Sequence, residues 1–132
     1  MMASGATLSS SASAVRFLLE QGAEVNIKSK SGDSALGWAA LSGDAVAVRL
    51  LLDASADANV ADDEGHTPLM WVSREGKVEI IQMLLKAGAD TERTDNEGKM
   101  AVDLAEELEN PEERIAVLSL LQKSDSRKEE PD

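Results

Sequence analysis

Three glycines, Gly32, Gly65 and Gly98, stand 33 residues apart and open segments that match one another position by position. Leu36 pairs with Leu69, Trp38 with Trp71, Gly43 with Gly76 and Val48 with Ile81. Leu51-Leu52 pairs with Leu84-Leu85, and Ala56-Asp57 with Ala89-Asp90. A fixed period of this length marks an array of supersecondary units, each too small to bury its apolar face alone, so successive units must stack. Carried back one period, Leu51-Leu52 falls on Leu18-Leu19, and the Ser55–Asn59 stretch falls on Gly22–Asn26. Carried forward, Gly65-His66 falls on Gly98-Lys99, after which the register slips by three residues near Glu109-Asn110-Pro111. Two full repeats therefore lie between a degenerate first unit and a modified last one. The approximate boundaries are 1–28, 29–61, 62–94 and 95–122.

The third unit is the clearest to read. Thr67 offers a hydroxyl N-cap, and Pro68 suits the first helical position, where its missing N–H is no loss. A short helix runs to about Glu75 and is stopped by Gly76. A second helix runs from about Lys77 to Ala87, with Val78, Ile81, Leu84 and Leu85 as its apolar stripe, and Gly88 ends it. The polar stretch 89–98 follows, and Asp95-Asn96-Glu97-Gly98 supplies hairpin-turn chemistry. Each unit is thus helix, turn, helix, extended loop. The predicted core comprises Ala39, Val48, Leu51, Leu52, Val72, Ile81, Leu84 and Leu85. With only Phe17, Trp38, Trp71 and no tyrosine as aromatics, a core of Leu, Val, Ile and Ala suits packed helices better than a sheet.

The segment Gly65-His66-Thr67-Pro68-Leu69-Met70-Trp71, followed by Leu84-Leu85 and Gly88-Ala89-Asp90, resembles the ankyrin repeat, and the resemblance covers roughly residues 11–122. It implies an all-α solenoid of stacked helix-turn-helix units with projecting β-hairpin loops. It also implies a non-catalytic protein-protein interaction module, or adaptor, that docks a partner on the concave side. Three departures stand out. The family's histidine after Thr-Pro-Leu is replaced by Gly37, Met70 and Asp103, which should weaken hydrogen bonding between loops. Ser55 replaces the glycine that ends the second helix, so it either accepts left-handed geometry at a cost or shifts the turn. The fourth unit begins Lys99-Met100-Ala101 and has lost the Thr-Pro start, as a terminal cap would, with Glu106, Glu107, Glu109, Glu112 and Glu113 as its polar side.

The two ends are read differently. In the first unit Val15, Phe17, Leu18 and Leu19, then Gly22, mark a second helix, whereas Met2–Ser9 is a poor helix former, so residues 1–10 are expected to be poorly ordered or weakly helical. The N-terminus is Ser-rich and free of acids, as transit peptides are, but its one base before residue 28, Arg16, falls in a repeat helix. Residues 123–132 carry nothing apolar and are expected to be a disordered tail.

Chemistry is sparse. There is one histidine and no cysteine, which excludes disulfides and thiolate metal sites. His66, placed at a loop tip without apolar shelter, is no candidate base. Asp62-Asp63-Glu64 lacks the alternating ligands of a calcium loop. No catalytic residue, metal or cofactor is expected. The net charge of −12 repels nucleic acid and anionic lipid and suits a protein partner bearing a basic patch; it equally serves solubility. No apolar run is long enough to span a membrane. A monomer in the cytoplasm or nucleus is expected.

Transferred residue by residue, the resemblance places the partner-binding surface on Lys30, Asp33 and Leu41 in the second unit. In the third it falls on Asp63, Glu64, His66, Arg74 and Glu75, and in the fourth on Asn96, Glu97 and Lys99. Trp38 and Trp71 share one register position and form either a packed ladder or an aromatic anchor for a partner. The alternative function is a structural spacer or scaffold, or a fragment of a larger regulatory protein, with no specific partner of its own. An exposed apolar patch around Leu41 and the tryptophans would favour the binding module, and a uniformly charged concave face the spacer.

Overall fold

The computed structural model describes residues 10–30 and 32–129, and side chains from residue 12 to residue 122 with that same break. The described residues form seven helices: α1 (Ser10–Glu20), α2 (Ala35–Ser42), α3 (Ala45–Asp53), α4 (Pro68–Glu75), α5 (Val78–Lys86), α6 (Ala101–Ala105) and α7 (Pro111–Glu129). The short helices α2, α4 and α6 pack in sequence order as an inner row, and α1, α3, α5 and α7 pack behind them as an outer row. The helix pairs α2–α3, α4–α5 and α6–α7 are the repeats.

Local chemistry explains the boundaries. Ser34 accepts the Gly37 N–H and Thr67 accepts the Met70 N–H, so each opens an inner helix. Gly43 (φ 76°) and Gly76 (φ 75°) close these helices in the left-handed region that disfavours a Cβ. Asp44 then caps α3 through the Ala47 N–H, whereas Lys77, one period on, starts α5 with no side-chain cap. Asn110 occupies the next equivalent position and accepts the N–H groups of Glu112 and Glu113. The expected three-residue slip near Glu109-Asn110-Pro111 is not found: α6 and α7 begin 33 residues after α4 and α5, and the 106–110 connection is longer than the Gly76-Lys77 turn because α6 ends three residues early. Val117, and not Leu120, takes the buried place of Leu84.

The core lies between the two rows. Leu36, Val48, Leu51, Leu69, Val72, Ile81, Leu84, Val117 and Leu121 are buried, and Ala39, Ala40 and Ala47 let the backbones approach. Leu52 and Leu85 are only partly buried against this core. They were expected inside, but the second leucine of each pair is rotated about 100° around the helix from the first and reaches the flank of the stripe. In α1 the expected stripe is more strongly altered: Leu18 is 53% exposed and Phe17 is 59% exposed, while the equivalent Leu51 and Leu84 are 2% and 0% exposed.

Two further expectations change. Among the described residues the loops form no strands, only one isolated antiparallel bridge between Lys28 and Ser34. Each loop is a tight turn closed by two backbone bonds: Ser29 N–H to Asp33 O with Gly32 N–H to Ser29 O, Asp62 N–H to His66 O with Gly65 N–H to Asp62 O, and Asp95 N–H to Lys99 O with Gly98 N–H to Asp95 O. At the other end, the α7 backbone is helical through Glu129, where a disordered tail from Lys123 was expected. With no glycine or proline between Lys123 and Glu129, the established helix simply propagates. The expected weak segment at 1–9, and Glu130–Asp132, lie outside the described residues.

Candidate functional site: the loop tips and the inner helices

The loop tips are built on one register position. Asp62 Oδ1 accepts the N–H groups of Glu64 and His66, and Asp95 Oδ1 accepts those of Glu97 and Lys99, all at 2.8–2.9 Å. In the second unit Ser29 takes this place with a longer bond from the Asp33 N–H at 3.2 Å. Lys99 N–H, more than any other contact, holds the Asp95 carboxyl below its ordinary value; desolvation opposes this, and the Glu97 N–H and the nearby His66 and Lys99 charges reinforce it.

Successive loops are tied together. The Asn96 N–H donates to Glu64 O at 3.0 Å, and Asn96 Nδ2 donates to Asp63 O. Lys28 Nζ donates to Ala61 O at 2.6 Å. Deeper in, Asn26 and Asn59 accept the N–H groups of Asp57 and Asp90 at 2.7 and 2.6 Å. Gly65 is required twice over, since its φ is +85° and a Cβ there would lie 2.9 Å from the Asn96 backbone nitrogen. The expected weakening between loops is therefore offset by asparagine side chains and close backbone approach. At the position of the missing family histidine, Met70 Sδ accepts the Thr67 N–H at 3.5 Å and Asp103 Oδ2 accepts the Met100 N–H at 2.9 Å. These residues close capping boxes, so the position serves its own helix start.

Two depressions open between the repeats. One lies between the second and third units, among Asp33, Gly37, Trp38, Leu41, His66 and Trp71. The other is more polar and lies between the third and fourth, among Glu64, His66, Arg74, Glu97, Lys99 and Glu107. Of the sequence-predicted residues, Asp33, Leu41 and His66 meet in the first, while Glu64, His66, Arg74, Asn96, Glu97 and Lys99 meet in the second. Lys30, Asp63 and Glu75 are exposed but line neither. Lys99 pairs with Glu107 at 3.3 Å on the surface. Leu104 and Glu107 were not singled out as site residues; Leu104 lies on α6, whose eroded helix start hid its inner-row position, and Glu107 follows in the connection to α7.

The tryptophans divide. Trp38 is 58% exposed and Leu41 is 40% exposed, so an apolar patch faces outward from α2. Trp71 is half-buried and tilts against the His66 ring, with centroids 4.7 Å apart. His66 is thus not the unsheltered residue expected: its side chain is 18% exposed, and three carboxylates, Asp62, Glu64 and Asp95, surround it. The tight turn after Asp62 folds the ring back over the inner helix, which sequence spacing does not reveal.

Among the described residues no helix is long and apolar enough to cross a membrane. A family model described as ankyrin repeats matches residues 1–95 in three copies. A comparison with curated protein sequences finds no match. Ankyrin repeats are generally protein-protein interaction modules and generally non-catalytic. The inner and outer helix rows, the turn-closing glycines and the matched residues agree, and the chain belongs to the ankyrin repeat family.

Proposed function

We propose that this chain binds a protein partner across the inner helices and loop tips, with an apolar side chain of the partner seated against Trp38 and Leu41. The observation that carries this reading is the outward exposure of those two residues, 58% and 40%, beside a depression that also reaches Trp71. A large aromatic left half-solvated on an inner helix, with an apolar neighbour beside it, is the composition common in binding hot spots. The patch argues against a plain spacer, whose concave face would carry charge throughout. Around it Asp63, Glu64 and Glu97 are exposed, and we assign them to a rim that attracts a basic surface and speeds encounter more than it strengthens the final complex.

The test is capture from a cell extract with the unaltered chain and with Trp38→Ala/Leu41→Ser. A protein retained by the first and lost with the second supports the reading; equal retention overturns the assigned surface. With that partner purified, Asp63→Asn/Glu64→Gln/Glu97→Gln should slow association several-fold at low salt. The deficit should shrink near physiological salt, where exposed charges are screened over about 8 Å. An unchanged rate at low salt would reduce these acids to solubilising surface.

A further inference from the structure

Asp62, Glu64 and His66 alternate along the third loop, and the turn gathers one donor atom from each within 4.8 Å of the others. His66 Nδ1 lies 3.7 Å from Asp62 Oδ2 and 3.7 Å from Glu64 Oε1. These separations are too long for hydrogen bonds. They are close to the ligand-to-ligand edge of a coordination sphere with bonds of about 2.0–2.2 Å.

Three features prepare the set. First, His66 Nδ1 is buried with no hydrogen-bond partner, an arrangement that normally costs stability unless something else satisfies the nitrogen. Second, the other ring nitrogen, Nε2, lies 3.4 Å from Asp95 Oδ2, whose side chain is 3% exposed. A carboxylate behind one imidazole nitrogen draws the proton to that side and leaves the opposite lone pair free for a metal. Third, Asp62 Oδ1 is already held by two backbone N–H groups, which fixes the carboxylate and leaves Oδ2 available. The third loop alone carries the full set, because the equivalent positions are Ser29, Ser31 and Asp33 in the second unit and Asp95, Glu97 and Lys99 in the fourth.

We propose that Asp62 Oδ2, Glu64 Oε1 and His66 Nδ1 bind a divalent first-row transition ion of the zinc type, with Asp95 as the positioning residue behind the imidazole. Three protein donors including an imidazole suit such an ion and leave a further position for water. Calcium, which takes six to eight oxygens, is poorly served by the same set. The turn of Asp62 brings in His66 and leaves out Asp63, so the metal set differs from the run of three consecutive acids visible in the sequence.

The untagged full chain is suited to a direct test, because His66 is its one histidine and it has no cysteine. Zn²⁺ and Ca²⁺ are each titrated into metal-free protein by calorimetry. Co²⁺ is followed by its visible absorption, and Trp71, against the His66 ring, reports by fluorescence. One Zn²⁺ should bind per chain, with Ca²⁺ at least roughly 100-fold weaker. His66→Gln should abolish stoichiometric binding. Glu64→Gln alters a side chain that is 76% exposed, so it leaves the fold intact; it should weaken Zn²⁺ about 10-fold. Asp95→Asn should weaken Zn²⁺ by roughly 10–100-fold, the usual range for a carboxylate behind a metal-bound imidazole, and shift the Co²⁺ bands. Zn²⁺ affinity that is absent, that Ca²⁺ equals, or that survives both His66→Gln and Glu64→Gln would overturn the proposal.

Discussion

The second and third repeats, 29–61 and 62–94, are two executions of one plan, and they differ least where they pack and most where their helices end. Leu51 and Leu84 are equally buried, as are Leu36 and Leu69. Yet Asp44 caps α3 where Lys77 leaves α5 without a side-chain cap. Ser55 takes a φ of 72° where Gly88 takes 92°. The Asp33 N–H bonds the Ser29 hydroxyl in one loop, where the equivalent His66 N–H bonds the Asp62 carboxylate in the next. The inner helices also diverge: Trp38 faces solvent, and Trp71 is covered by His66. Stacking demands the same shape from every unit, because each interior surface is its neighbour's complement. Caps, turns and exposed faces have no such neighbour and are free to vary.

The sharpest way to break this comparison is at the leucines. Leu84→Ala should cost roughly 2–5 kcal/mol in denaturant unfolding, from lost transfer energy and the cavity left between the rows. Leu18→Ala, at the same register in α1 but half exposed, should cost under about 1 kcal/mol. Equal losses would mean that register alone, and not burial, sets the contribution.

Next comes the loop organiser. Asp95→Ala strips the acceptor from the Glu97 and Lys99 N–H groups and should cost about 2 kcal/mol. Because the folded carboxyl titrates below its ordinary value of 3.8, the charge-dependent part of its stabilisation is complete above that value. It is lost as the pH falls through 3.8 towards the lowered folded value. Chemical melts between pH 7 and pH 3 should therefore show less acid destabilisation in Asp95→Asn than in the unaltered chain. Identical pH profiles would refute this role for the carboxylate.

The cap difference predicts smaller effects of opposite sign. Asp44→Ala should destabilise by about 1 kcal/mol, and Lys77→Asp, which gives α5 the missing acceptor and places a negative charge at the positive end of its dipole, should stabilise by up to a similar amount. A thermal midpoint that falls on Lys77→Asp would show that the lysine stem over Gly43, with Cε 3.2 Å from where a Cβ would sit, matters more than the cap.

The smallest change is expected at Ser55. Ser55→Gly removes the Cβ from a left-handed residue and should raise stability by roughly 0.5–1 kcal/mol. A loss would mean that the chain entropy of glycine outweighs the relief of strain at this position.

The 33-residue period by itself determined the architecture. It set the helix pairs, the stack order, the boundaries of α4 to the residue and those of α5 to within one residue, because apolar spacing and turn-forming glycines are local signals that each repeat states again. The same signals placed most of the core, but not the flank positions Leu52 and Leu85 or the exposed Leu18, because burial depends on which neighbour covers a helix and not only on its face. The candidate surface was legible as a set of loop-tip and inner-helix positions. Tertiary structure alone decided which of those positions meet. It folded His66 under three carboxylates, separated Trp38 from Trp71 in exposure, and brought Glu107, in the connection after α6, to Lys99. Those contacts join residues on different turns and repeats, where small rotations of a backbone decide whether charged side chains converge or diverge, and no period in the sequence encodes such rotations.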